Sequence, residues 1–330
     1  MKKIVLIWER NSEEDLEYNR EIIEGIQLSG DILGVSVDVF ELNPVYRFYG
    51  NDIPDSAYPN VPEYDDMVLG FWIGFIPKRE HYQSVYDFLK SRNVVLVNTP
   101  IEHLRGIEFD LESYNSLGFR TPLSVEVRDK ETGLDAAERD LGFPVFVKGR
   151  VQSLKQRGPS ACIAYDKKEL ADILDVYIEA GMQAGLCDLI RDGLILRRYH
   201  PLVSGRKTDY GFPQGREFRV LVFKGMVVGR GYYWRNLDPP HSEISDDEKK
   251  QIDRLAEMAY QAFDISYMSV DIAQKAGNME WILVEVGDAQ FSGINHINPL
   301  WLWQNILRAL LGISCGTVIQ EISSFASMTF

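Results

Sequence analysis

Hydrophobic positions follow two patterns along the chain. Lys3-Ile-Val-Leu-Ile-Trp8 is a continuous apolar, β-branched run; beyond Ser12 and Asp15, which offer a helix start, Leu16, Ile22, Ile23 and Ile26 recur at helical spacing. A strand followed by a helix is predicted. Gly30 to Gly34 is expected to turn the chain, Val35 to Phe40 alternates, Met67 to Ile76 is a second long apolar run, and Val94 to Val97 is a third, preceded by a helix around His81 to Leu89. Apolar strands alternating with helices imply parallel βαβ units. Asn43 to Pro62, with Pro44, Pro54, Pro59 and Pro62, reads as a long loop.

After Asn98-Thr-Pro100 the pattern predicts a helical stretch to Leu117, a strand from Leu123 to Val127 and a helix from Gly133 to Leu141. A strand from Pro144 to Lys148, a glycine-containing loop, a strand from Ala161 to Tyr165, a helix from Lys168 to Ala180 and a strand from Gly193 to Tyr199 follow. Further on, Glu217 to Phe223 and Met226 to Tyr233 form a hairpin turned by Lys224-Gly225. Asp246 to Phe263 is helical, Tyr267 to Ala273 pairs with Trp281 to Val286, and Trp301 to Leu311 is a C-terminal helix. The expected fold class is α/β and α+β. A doubly wound parallel domain over residues 1–100 and a connecting helix or linker over 101–122 precede two α+β units over 123–200 and 201–330.

Composition narrows the function. A chain of 330 residues with 45% hydrophobic and 25% charged side chains can bury a core and is not disordered. Its 35 basic and 49 acidic residues leave a net charge of −14 with no Lys/Arg-rich run, so phosphate backbones and anionic lipid heads are repelled; neither nucleic acid nor membrane is an expected partner. Cys162, Cys187 and Cys315 are far apart and odd in number, which fits small core residues in a reducing cytoplasm better than disulfides or zinc. Glu9 and Arg10 end the first apolar run too early for a signal peptide, and no segment reaches the length of a membrane span; a cytoplasmic location is expected.

Three segments carry candidate chemistry. Phe143-Pro-Val-Phe-Val-Lys148 is a buried strand that ends in a lysine and leads into a loop with Gly149, Ser153, Lys155 and Gly158. Cationic heads and backbone N–H groups so arranged can hold a polyphosphate, although a snorkelling lysine beside a solvated basic loop has the same pattern. In Arg216-Glu-Phe-Arg-Val-Leu-Val, period-2 alternation aims Glu217 and Arg219 away from the apolar face of Phe218, Val220 and Val222, toward a site or toward solvent. Asp271 and Glu285 lie on neighbouring apolar strands, with Asp288 just beyond, and make the oxygen-rich cluster that suits Mg²⁺.

Taken in this order, the three segments resemble the ATP-grasp superfamily over roughly residues 100 to 325, and Val284-Glu-Val-Gly-Asp-Ala-Gln-Phe-Ser-Gly293 is similar to a divergent bacterial and phage branch of it. The resemblance implies two α+β subdomains sandwiching ATP, with the α/β unit before them. It implies that Lys148 contacts the phosphates, that the loop around Ser153, Lys155 and Gly158 closes over them, and that Arg219 reaches the γ-phosphate. Glu217 joins the nucleotide contacts, and Asp271 and Glu285 hold Mg²⁺. The strand with Leu196, Arg197, Arg198 and Tyr199 is the hinge against adenine, but Arg198 stands where such hinges usually carry Glu. Gly287 stands where a third metal ligand, Asn, is usual, so Asp288 is taken as the substitute, or else as an acceptor contact. Arg230, Arg235 and His296 are candidate substrate contacts, and Trp234 and Arg157 are further candidates for lining that pocket. The activity implied is an ADP-forming carboxylate–amine ligase acting on small-molecule or peptide substrates. A small-molecule kinase or a degenerate nucleotide-binding protein on the same scaffold are the alternatives.

Overall fold

The computed structural model describes residues 2–9, 13–43, 53–182, 193–234, 236 and 239–313. The first unit runs β1 (Lys3–Glu9), α1 (Glu13–Leu33), β2 (Ser36–Leu42), β3 (Val68–Ile73), α2 (Arg79–Lys90) and β4 (Val94–Leu96). Its strands form a parallel sheet in the order β2-β1-β3-β4. Ile4 and Leu6 face a core with Ile22 and Ile26 of α1, whereas Val5 and Ile7 face another with Tyr82, Val85 and Leu89 of α2. Coverage on both faces is why β1 is apolar without alternation. Gly30 lies inside α1 and not in a turn: the chain reverses at Gly34, where φ is +69°, and the Val35 N–H donates to the Gly30 carbonyl at 2.8 Å. Ser12 and residues 44–52 of the expected loop lie outside the described residues. The remainder of that loop carries a short 3₁₀ turn at Asp55–Ala57 and buries Ile53, Ala57 and Val61 against the sheet.

The stretch after Pro100 is two helices, α3 (Pro100–Ile107) and α4 (Leu111–Ser116). Asp110 causes the break by capping α4, accepting from the Ser113 N–H, which leaves Glu108 and Phe109 outside both helices. An antiparallel sheet β5-β8-β6-β7 follows, built from β5 (Ser124–Val127), β6 (Val145–Gly149), β7 (Ile163–Ala164) and β8 (Leu194–Arg198). Its outer face packs Val145, Val147, Leu194 and Leu196 against α5 (Lys130–Ala136) and α6 (Lys167–Met182). A small hairpin, β9 (Ser204–Lys207) with β10 (Pro213–Gly215), has no counterpart in the hydrophobic pattern because β9 is exposed throughout.

The last sheet is antiparallel, β12-β11-β13-β14, from β11 (Glu217–Phe223), β12 (Met226–Tyr232), β13 (Tyr267–Gln274) and β14 (Trp281–Asp288). Lys224 and Gly225, with φ of 48° and 80°, make the tight turn of the first hairpin. The short α7 (Pro239–Ser242) precedes α8 (Asp246–Phe263), whose Ile252, Ala256, Ala259 and Phe263 pack on Phe218, Val220 and Val270. The final helix, α9 (Pro299–Leu311), returns to the first unit, where Trp303, Ile306 and Leu307 share the core of Ile22 and Ile26. No described helix is long and apolar enough to cross a membrane.

Helices α1 and α9 meet at Gly25: a Cβ there would lie 2.8 Å from Pro299 Cβ and 3.0 Å from the Pro299 carbonyl carbon. Gly25→Ala therefore sets the ~1 kcal/mol helix-propensity gain of Ala against an overpacking cost of roughly 1–3 kcal/mol. A lower melting temperature than wild type is expected, with the exposed Gln27→Ala as control. A higher one would show that the helices separate without cost.

Candidate functional site

Strand alternation delivers the candidate side chains to one cleft. On β6 the residues between Val145 and Val147 and after it, Phe146 and Lys148, point away from the core that those valines fill. Phe218, Val220 and Val222 of β11 and Met268, Val270 and Ile272 of β13 fill another core, which turns Glu217, Arg219 and Asp271 to the opposite face. Asp271 is the register partner of both Arg219 and Glu285. Between Asp271 and Ile272 the pairing shifts: Asp271 faces Glu285 but Ile272 faces Leu283, so Val284 is an extra residue. That bulge lets Leu283 and Val286 both reach the core while Glu285 faces the cleft.

The charges are paired across the cleft. Arg219 donates from Nε and Nη2 to the two oxygens of Asp271, at 2.8 Å each, and from Nη1 to the Gly293 carbonyl at 3.0 Å. Lys148 Nζ donates to Glu285 Oε1 at 2.7 Å and lies 5.6 Å from the Phe109 ring centroid. Burial would raise the Glu285 pKa, but Lys148 and Lys155 beside it hold it at about 2. Burial lowers the Lys148 pKa, with Glu285 partly opposing. Burial would also lower Lys155 and Arg219; facing acidic groups keep both above their ordinary values, Asp271 chiefly for Arg219, and the Tyr233 phenol with the Glu285 and Glu217 carboxylates for Lys155. Glu217 goes the other way: burial first, then the charge of Asp271, push its carboxyl up to about 8 against the opposing pull of Lys155 and Arg219.

Two cavities meet at these residues. One, of about 120 Å³, is walled by Phe146, Tyr199, Leu202, Phe212 and Ile282 and suits a flat apolar ring. The other, of about 350 Å³, is polar and includes Arg150, Arg219, Asp271 and Gly287. Lys148, Ser153, Lys155 and Glu285 line both. Gly158 lies outside either wall; with φ of +94° it turns the loop under Tyr210, whose carbonyl is 3.2 Å from a Cβ built there.

Other candidates are placed differently. Asp288 shares the Val286 side of β14, away from Glu285, and is buried: its Oδ1 accepts from Asn98 Nδ2 at 2.8 Å and from the Gln290 N–H at 3.0 Å, and its Oδ2 is 2.9 Å from His103 Nδ1. Among the described residues no cluster of three or more His, Cys, Asp or Glu suits a metal. At the third-ligand position a Cβ on Gly287 would meet Ser269 Oγ at 2.7 Å and Ser292 Oγ at 3.1 Å, so a side chain there would have to displace these hydroxyls. Arg230 is paired with Asp253 of α8, and His296 hydrogen-bonds the Trp234 carbonyl at 2.9 Å; neither they nor Arg157 line the cavities. Arg235 lies outside the described residues. Leu196 is in the core behind its sheet. Arg198 lines the apolar cavity, yet its guanidinium turns outward to the Leu141 and Asp140 carbonyls. Arg197 also lines the apolar cavity, its guanidinium donating to the Val284 carbonyl and to the hydroxyls of Ser124 and Thr121 while lying over the Phe109 and Tyr114 rings.

Sequence reasoning passed over several wall residues. Phe146 was accessible through alternation, two positions before Lys148. Phe109 and Arg150 had no local signal: the Phe109 N–H donates to the Arg150 carbonyl across 41 positions of chain, at 2.9 Å.

Comparisons bear on this arrangement. Residues 138–306, just over half of the chain, match the family model described as "ATP-grasp domain, R2K clade family 3". A RimK domain ATP-grasp protein from Sphaerobacter thermophilus superposes with a TM-score of 0.55 at 13% identity, covering 92% of this chain and 99% of that one. The D-alanine–D-alanine ligase from Bacillus anthracis complexed with ATP gives 0.56 at 17%, covering 94% and 98%. The VanG D-Ala:D-Ser ligase from Enterococcus faecalis gives 0.57 at 15%, covering 94% and 99%. At these identities the likeness is one of fold. No curated protein matches the sequence.

The raised Glu217 pKa has a stability consequence. A carboxyl whose folded value, about 8, exceeds its ordinary 4.5 stabilises the fold in its neutral form; that contribution is complete below about 4.5 and is lost as pH rises through 8. Relative to Glu217→Gln, which stays neutral, the wild-type melting temperature should fall between about pH 5 and pH 9. Parallel melting curves across that range would mean that Glu217 ionises as an ordinary carboxyl.

Proposed function

Because the chain belongs to the ATP-grasp domain proteins, R2K clade family 3, we propose that it is an ATP-dependent carboxylate–amine ligase that releases ADP and phosphate through an acyl phosphate. The observation that carries this reading is the junction of an apolar slot with a polar cleft at Lys148, Ser153, Lys155 and Glu285. Adenine suits the slot between Phe146, Phe212 and the backbone at Arg198 and Tyr199. The triphosphate then crosses the two lysines into the cleft, toward Arg219.

Asp271 and Glu285 fit Mg²⁺, a hard cation that commonly takes one or two carboxylates and completes its shell with phosphate and water. When bound it supplies positive charge against the transferring phosphoryl group. The protein's own residues do the rest by positioning and neutralisation. Lys148 and Arg219, freed from their carboxylate partners, hold the phosphate oxygens, and the loop around Ser153 excludes water. A carboxylate oxygen attacks the γ-phosphorus, the bond from that phosphorus to the β–γ bridging oxygen breaks, and ADP leaves with the electron pair. An amine then attacks the acyl carbon, the C–O bond to phosphate breaks, and inorganic phosphate and the amine's proton are released.

A panel of small acids and amines with Mg·ATP tests this: equal amounts of ADP and free phosphate support a ligase, ADP without phosphate a kinase, and no stimulated release a binding protein. Lys148→Met should weaken ATP binding by roughly ten- to a hundredfold, the loss of one charge-assisted contact of about 1.5–3 kcal/mol. Unchanged affinity by calorimetry, with the fold intact, would remove Lys148 from the site.

The metal assignment is tested separately. Glu285→Gln should nearly abolish turnover, while Asp288→Asn should lower the melting temperature and leave the Mg²⁺ requirement as it was. A raised Mg²⁺ requirement in Asp288→Asn would return that residue to the metal site.

A further inference from the structure

A third cavity, of about 200 Å³, opens beside the polar cleft, walled by Ile73 at the end of β3 and Gly74 and Phe75 just past it, by Asn19 and Ile22 of α1, and by Trp303 of α9. In the sheet order β2-β1-β3-β4 the chain steps outward from β1 to β2 and then crosses back to β3. The winding direction therefore reverses between β1 and β3, and open α/β sheets receive ligands outside the carboxyl ends of their strands at that point. The cavity sits at the carboxyl end of β3, over the helix that follows β1.

We propose that this cavity holds the body of the carboxylate substrate, and that this body is uncharged and about the size of a phenyl ring; the inference rests on the ligase reading above. Four observations carry it. The wall is mostly aromatic and aliphatic, with Phe71, Trp72, Phe291 and Trp303 in it and Asn19, Gln290 and Ser292 as polar members, and none of its described residues is charged. Among the described wall residues an ammonium or a second carboxylate would find no charged partner, which disfavours a zwitterionic head or a diacid in the interior. The volume slightly exceeds the roughly 150 Å³ of an apolar cavity that takes benzene. The indole N–H groups of Trp72 and Trp303, both buried, find no acceptor among the described residues, which leaves the wall two donors for an acceptor atom on the body.

The fourth observation is continuity with the chemistry. Phe291, Ser292 and Gly293 line both this cavity and the polar cleft. Arg219 donates to the Gly293 carbonyl, and the Ser292 hydroxyl is 2.8 Å from that of Ser269. A body seated among the aromatic rings thus directs its carboxylate across Ser292 and Gly293 toward Arg219. The wall is held from behind: Glu9, fully buried, accepts the Phe75 N–H at 3.0 Å, and a Cβ on Gly74 would come within 2.5 Å of the same carboxylate oxygen.

The test uses the full chain with 3-phenylpropanoate, acetate, glutarate and 3-indolepropanoate, reading binding from tryptophan emission without nucleotide and turnover as ADP and phosphate release. 3-Phenylpropanoate should bind best and give the lowest KM. Ile22→Phe, which fills the cavity, should weaken its binding roughly tenfold or more. Ile22→Ala, which enlarges the cavity and covers the case where Ile22→Phe does not fold, should shift preference toward 3-indolepropanoate. A preference for glutarate or acetate, or binding indifferent to both substitutions, overturns the proposal. Acid-stimulated ADP and phosphate release that ignores both substitutions leaves the ligase reading standing and sinks this one. Ile22-dependent binding of 3-phenylpropanoate without phosphate release does the reverse.

Discussion

Four opposite charges facing one partly dry cleft must balance, and the rest of the site depends on how they do. Without nucleotide, Asp271 is neutralised by both arms of Arg219 and Glu285 by Lys148. Either pair broken alone would leave a charge in a low-dielectric cleft, which is costly. On the proposed function, a nucleotide carrying a divalent cation would exchange these partners: phosphate would take the two cations and the metal the two carboxylates. Nucleotide without metal, or the reverse, would then strand one set. On that reading the cleft would favour the complex over either component alone.

The Asp288 network sets the frame around this exchange. Asn98 and His103, from the junction of the first unit with α3, converge on one carboxylate at the end of β14, and Tyr82 stacks on the His103 ring at 3.9 Å. Phe71 of the first sheet meets Tyr267 of β13 and Trp303 of α9 edge-on. Polar and aromatic contacts therefore join the parallel unit to the strand that bears Glu285, and the cavity between them has rigid walls.

Much of this was legible in the chain. An apolar strand ending in lysine, a strand with Glu and Arg on its polar phase and Asp271 on an apolar strand each put their side chains where alternation directs them, while Glu285 reaches the cleft only through the bulge at Val284. Legibility failed where a partner is remote or absent from the hydrophobic pattern. Asp288 resembled a metal ligand because nothing near it in sequence announces Asn98 or His103; Arg230 resembled a substrate contact because Asp253 lies on another element. The exposed β9 offers no apolar phase to detect, and one helical run became two because a single capping aspartate outweighed its periodicity.

The bulge at Val284 makes the position of Glu285 a matter of counting. In a regular ladder the residue after Val284 would fall on the core phase; the one extra residue moves it onto the cleft phase. The carboxylate is thus specified by strand length as much as by residue identity. In β14, pairing Val284 into the ladder at unchanged length would turn Glu285 inward, whereas deleting Val284 would restore a regular ladder and leave Glu285 facing the cleft.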